Sequence, residues 1–524
     1  MQCARQAVLV LLVSAVALGA NGPIQPAELH RYVEEFNRAF PEEVVNAIAD
    51  RDAVAWMEQN VPWFSCPDPD VERTWYYRWW ALRKHIKLTP RGYILTEFLK
   101  PVKHASEYGA ISCALGLHLA EGRWIHDPKY LDDYLRFWLE SGEGGGLQKD
   151  YHRYSGWTAA AVYDRWLVDG RSRDLVSLLD PLIRDYKAWE QERLLPVGLF
   201  WQYDVRDGME ESVSGSRHNK NARPTINSYM YGNAVAIAAI ARMAGKPSVA
   251  AEFEEKARNL CALVEQKLWD RQAVFFKSRL DTGKLADVRE IIGYTPWYFD
   301  LPEKNRGYER AWKQLMDPRG FYAPYGPTTA ERRSPGFRVA DTGDACQWNG
   351  PSWPFSTSIT LRALANVLND YSQRVVSAKD FFDTFLIYTR SQKRKRDDGT
   401  IVPWIDENLN PLTGQWWART LQIRRGTFYG RGDHYNHSSY ADLVITGLVG
   451  LRPQPNNLVV VNPLLPADAW DWFCLDHVRY HGHLVTILWD RTGAKFHRGK
   501  GLRVFSDGHE IAHADRLTRV SGDY

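Results

Sequence analysis

At 524 residues, with 44% hydrophobic and 25% charged side chains, the chain is long enough to bury a large core and too apolar to stay disordered. Its 66 basic and 63 acidic residues leave a formal charge of +3, so no overall field selects nucleic acid or an anionic membrane as partner. The 22 tryptophans and 26 tyrosines serve either large cores or stacking surfaces, and a neutral partner fits this balance best.

In chain order, residues 1–20 read as a secretory signal: Arg5, an apolar run over 7–18, and Ala15-Val16-Ala17 or Ala20 as the cleavage site. The run is shorter than the roughly 20 residues that span a bilayer, so the expected protein is secreted or periplasmic with no membrane span. Cys66, Cys113, Cys261, Cys346 and Cys474 are scattered without CxxC spacing, which favours buried thiols over a disulfide framework or zinc site. After an N-terminal helical segment over 21–70, two kinds of helix alternate as far as 451. Segments 174–194 and 247–270 place apolar residues three and four apart, the pattern of helices with one wet face. Segments 229–244, 356–367 and 438–451 are apolar and small-residue-rich all round, the pattern of helices buried on every side. With 71–86, 105–120, 127–140 and 154–168 they make roughly a dozen. No self-similar period supports a solenoid. Alternating inner and outer helices predict a mainly α fold, an α/α toroid over 71–451. Beyond a Pro-containing linker at 452–456, segments 457–463, 483–490 and 502–513 alternate and are β-branched, with Asp507-Gly508 as a hairpin turn. They predict a small antiparallel β domain over 457–524.

Three loops beside proposed inner helices gather acids, aromatics and glycines. The first, WQYDVRDGMEESVSGSR over 201–217, holds Asp204, Asp207, Glu210 and Glu211. The second is DTGDACQWNGPSWP over 341–354. The third, VPWIDENLNPLTGQWW over 402–417, is followed by RGDHYNHSSYADL over 431–443. Glycosidic cleavage needs one protonated carboxyl on the leaving oxygen and an ionised one to activate water or attack the sugar. A carboxyl crowded by other acids and aromatics keeps its proton near neutrality.

WNGPSWP over 348–354 resembles the WNGP-x-WP signature of (α/α)6-barrel glycoside hydrolases: family 63 glucosidases, the mannosylglycerate hydrolase-like group and, more distantly, trehalases. GMEESVSGSR over 208–217 and ENLNPLTG over 407–414 resemble that group's acid and base loops, in the same order. The resemblance covers residues 71–451. It implies Glu210 as general acid, where the family has aspartate, and Glu407 as general base, with inversion at the anomeric carbon. Glu211 and Asp207 stand as alternative donors. Trp348, Trp353, Trp404 and Trp157 are candidate sugar platforms; Gln347, Asn349, Arg217, His437 and Glu97 are candidate partners of hydroxyls. A carbohydrate is the expected substrate, acted on at chain ends if the loops form a pocket. Two rival readings stand beside this: a polysaccharide lyase using Tyr151, His152, Arg153 and Tyr154, and a non-catalytic sugar-binding protein. No metal or cofactor is expected. Asp433, His434 and His437 lack metal-site spacing, and the glycine run at 142–146 lacks the P-loop ending.

Overall fold

The computed structural model describes residues 22–524; the signal-peptide reading of residues 1–20 lies outside them. The described chain is mainly helical and ends in antiparallel sheet. Six inner segments follow one another in contact: Leu115–Gly122, Thr158–Asp169, Pro224–Met243, Thr295–Tyr298, Pro354–Asp370, and Ala441–Leu443 with its continuation Val444–Leu448. The last returns to contact the first, which closes the ring. Between them run outer helices such as Lys129–Glu140, whose Tyr130, Leu131, Tyr134, Leu135 and Trp138 form one buried stripe at helical spacing. An outer segment returns the chain after each inner one, so the inner segments run in one direction and their N-termini gather at one end of the ring. Two of the inner helices begin with proline, Pro224 and Pro354, where the missing N–H costs no hydrogen bond.

The structure departs from expectation in three places. The helix expected over 174–194 breaks into Ser172–Ser177 and Leu179–Arg193, because the Pro181 ring clashes with the Ser177 carbonyl and supplies no donor. The helix expected over 105–120 is confined to Leu115–Gly122. The helix expected over 438–451 is a single α turn, Ala441–Leu443, widened into the π turn Val444–Leu448.

The C-terminal sheet orders Trp472–Tyr480, His483–Asp490, Gly501–Ser506 and His509–Ala514 side by side, and Trp63–Ser65 from the N-terminal segment adds a fifth strand at one edge. Asp507 and Gly508 both have positive φ, 48° and 84°, between paired Ser506 and His509, as a two-residue type I′ turn requires. The sheet meets the ring at the C-terminal end of Thr158–Asp169, where the His481 amide donates to Val168 O at 2.8 Å. Among the described residues no helix is long and apolar enough to cross a membrane, and the five cysteines are free thiols.

Candidate active site

The acid- and aromatic-bearing loops lie at the N-terminal ends of the inner segments, and backbone hydrogen bonds fasten them to one another. Trp348 N donates to Glu210 O at 2.9 Å, tying the second loop to the first. Ser352 and Leu409 exchange N–H···O bonds of 2.9 and 2.8 Å, tying the second to the third. The Asn408 amide adds a bond to Ala345 O at 3.2 Å. Residues some two hundred positions apart are thereby held as one rigid surface.

Within the first loop the acids divide sharply. Asp207 is fully buried, paired with Arg223 at 2.8 Å and hydrogen-bonded by Thr225. Its chain bends through Gly208 at φ 69°, where a Cβ would lie 2.5 Å from Cys113 Sγ; only glycine fits there. Glu211 sits at the rim, 3.9 Å from Arg217, which also approaches Asp344 at 3.7 Å. Glu210 has no ion pair and no side-chain hydrogen-bond partner among the described residues. Burial, with added repulsion from Asp344, Asp204 and Glu407, pushes its carboxyl up to about 8, so it carries its proton at neutral pH.

Glu407 lives in the opposite environment. It is 1% exposed, and the Arg431 guanidinium reaches both its oxygens, Nε to Oε1 at 2.6 Å and Nη2 to Oε2 at 2.8 Å. Such a two-point, charge-assisted bond to arginine fixes the plane of the carboxylate. Cys346 Sγ donates to Oε2 at 3.2 Å and Gln422 to Oε1 at 3.3 Å. Burial and the Glu407 charge hold the Cys346 thiol well above its ordinary range, so it remains a donor.

Glu97 is a third carboxyl of this cluster. It accepts the Tyr435 hydroxyl, its Oε2 is buried without a partner, and burial raises it to about 8 with a further push from Glu407. Trp348 and Trp353 stack at 4.6 Å and 15°. Trp353 and Tyr435 flank the His437 ring at 5.8 and 3.8 Å. Both His437 nitrogens and Asn349 Oδ1 are buried without hydrogen-bond partners, the state of groups available to a ligand's hydroxyls.

Three candidates are placed elsewhere. The Gln347 amide bonds Ala340 O, Thr342 O and the Trp417 indole, so it braces its own loop. Trp157 is 1% exposed among Tyr229, Tyr298, Phe299 and Phe355, in the packed floor. Trp404 packs on Phe40 and His434 and lines a separate cavity. The sequence reading assigned no role to Arg431, Tyr435, Gln422 or Cys346; a charged residue shortly before the base-flanking aromatics was the available signal for Arg431.

Two of the lyase candidates, His152 and Tyr151, are held in structural bonds. His152 is clamped by Asp185 at 2.7 Å and Glu192 at 2.9 Å over the Trp189 face. Burial opposes its charge, but those two acids overcome it and raise the imidazole to about 9. Tyr151 donates to Thr158. Neither is free to serve as the base or acid of an elimination. Among the described residues no group of three or more His, Cys, Asp or Glu side chains is placed to hold a metal ion.

The chain matches the mannosylglycerate hydrolase MGH1-like glycoside hydrolase domain over residues 107–438 and the glycosyl hydrolase family 65 C-terminal domain over 451–513. A solved chain described as a sialidase is 46% identical with a TM-score of 0.90; the match covers 95% of this chain but only 45% of that one. The fold is shared at low identity with two others. A family 63 mannosylglycerate hydrolase from Thermus thermophilus is 17% identical, with a TM-score of 0.51 over 71% of this chain and 99% of that one. A family 78 rhamnosidase of Bacillus sp. GL1 is 12% identical, with a TM-score of 0.56 over 86% and 42%. With the glycoside hydrolase domain spanning more than half its length, the chain belongs to the mannosylglycerate hydrolase MGH1-like glycoside hydrolase family.

Proposed function

We propose that the chain is the (α/α)6 catalytic barrel of a secreted glycosidase that removes terminal sugars with inversion. Glu210 is the general acid: its proton passes to the glycosidic oxygen as the bond from that oxygen to the anomeric carbon breaks. Glu407 is the general base: it takes a proton from the water whose oxygen bonds to the anomeric carbon from the opposite face. The observation that carries this reading is the contrast between a partly buried carboxyl with no ion pair, raised to about 8, and a carboxylate bound at both oxygens by arginine. The long contact from Gln422 marks the lone pair for which a water would compete with least cost. Trp348 and Trp353 supply an apolar wall, while Asn349, His437, Glu97 and the rim residue Arg217 contact hydroxyls. A protonated Glu97 donates where a carboxylate only accepts.

The similar chains are described as a sialidase, a mannosylglycerate hydrolase and a rhamnosidase, so the substrate is sought on a panel of sialosides, mannosides, glucosides and rhamnosides. Proton NMR within minutes of mixing reads the configuration of the first-formed sugar. Inverted product from wild type, lost in both Glu210→Gln and Glu407→Gln, is the expected result. Retained configuration removes the inverting assignment. Saturable binding to wild type without turnover on any glycoside that binds establishes the sugar-binding alternative.

A further inference from the structure

Behind the loop that carries Glu407 lies a second cavity of about 360 Å³, within the range of small-molecule sites. Its wall includes Phe40, Trp404, Tyr429 and five basic side chains, against two acids, Glu43 and Asp433. Three of those cations have acidic partners: Lys84 with Asp50 at 2.6 Å, Lys100 with Glu43 at 2.8 Å, and Arg419 with Asp406 at 3.0 Å as well as Asp433. The other two, Arg394 and Arg396, have none among the described residues.

Their placement follows from local structure. Arg394 is on the short strand Lys393–Lys395, and Arg396 follows it at the i+2 position, so both side chains leave the same face. The Arg394 guanidinium carbon lies 4.1 Å from the Trp404 ring centroid, and its Nε is buried without a hydrogen-bond partner. Arg396 donates to the Ala39 carbonyl and lies 5.2 Å from the Phe40 ring centroid. Burial and the neighbouring Arg419 disfavour the Arg394 charge. Asp433 and Asp406 pull the other way, but neither is within ion-pair distance. A partly desolvated guanidinium without a paired acid is costly, and a bound oxyanion with two acceptor oxygens lowers that cost by accepting its N–H fork. Tyr429, 49% exposed on the same wall, offers an aromatic face beside the charge.

The geometry points to a binding site for a carboxylated sugar in this cavity, with Arg394 and Arg396 gripping the carboxylate and Tyr429 meeting the ring. The site is separate from the Glu210 and Glu407 centre, and the inference holds whichever glycoside that centre cleaves.

The test is calorimetric titration of the whole chain with glucuronate, glucose and inorganic phosphate. Wild type is expected to bind glucuronate saturably. Arg394→Gln should weaken it at least tenfold, Arg394→Lys should recover part of the loss, and Glu210→Gln should leave it within twofold. Thermal melting of the Arg394 variants shows that they are folded. Glucuronate binding unchanged in folded Arg394→Gln overturns the site, as does binding abolished by Glu210→Gln. Glucose binding as tightly as glucuronate overturns the role of the charge. Phosphate binding as tightly, lost with Arg394, overturns the sugar assignment and leaves an oxyanion site.

Discussion

Glu210 and Glu407 are the same residue type in loops fastened to one common neighbour, yet their surroundings differ in charge. Glu210 is crowded by Asp344 and Glu407 from the other two loops and by Asp204 from its own, and it has no ion pair. The loop around Glu407 is met by Arg431 at both oxygens. The difference is the one the proposed acid–base pairing uses: one carboxyl desolvated among other acids, the other bound at both oxygens by arginine. The strongest way to break the comparison is to remove either carboxyl. Glu407→Gln and Glu210→Gln are each expected to lower kcat by about 10²–10⁴-fold, the usual worth of a positioned acid or base, with circular dichroism unchanged. A Glu210→Gln variant of near wild-type kcat, on a substrate with a poor leaving group, would move the acid role elsewhere.

Asp207 is the natural control, because it shares the loop and has the opposite use. It and Arg223 are fully buried and paired. Asp207→Asn leaves the Arg223 charge uncompensated in the interior, and denaturant titration is expected to show a loss of about 3–5 kcal/mol. Activity per folded molecule should fall much less than in Glu210→Gln.

The pH dependence sharpens the same contrast. A general acid works only while protonated, so with Glu210 raised to about 8, kcat/KM should fall about tenfold per pH unit above that value. In Glu210→Gln the residual activity should lack this limb. The stability sign is equally definite. Folded Glu210 keeps its proton where the unfolded chain has lost it, so between about 4.5 and about 8 the folded state binds more protons and stability declines as pH rises. The Glu210→Gln variant should therefore gain on wild type across that window in pH-dependent melting.

Much of this site was legible in the sequence because its loops are marked locally. Acids, tryptophans and glycines cluster just ahead of helices that open with Pro224 and Pro354, and Asp507-Gly508 announces its own hairpin. What was not legible is pairing across the chain. Glu97 meets Tyr435 across 338 positions, and Trp63–Ser65 joins strand Trp472–Tyr480 from the other end of the molecule. Nothing in local periodicity specifies such partners, since the ring's closure creates them. Trp404 misled for the same reason: two positions before Asp406, in an aromatic acidic loop, it reads as a sugar platform, yet its ring lines the cavity behind that loop.

The smallest expected effect tests the comparison most finely. Glu211 follows Glu210 directly, and by sequence alone either serves as donor. In the structure Glu211 has φ 62°, which turns its side chain to the rim, where the nearest cation is the exposed Arg217 at 3.9 Å. A solvent-screened pair of that length contributes at most about 1 kcal/mol. Glu211→Gln is therefore expected to leave kcat within about twofold, with the alkaline limb near pH 8 intact and the midpoint of unfolding little changed. Loss of that limb in Glu211→Gln, with its retention in Glu210→Gln, would exchange the two residues. The acid would then belong to the strained rim position, and the cause would have to be sought in a loop that closes over bound substrate.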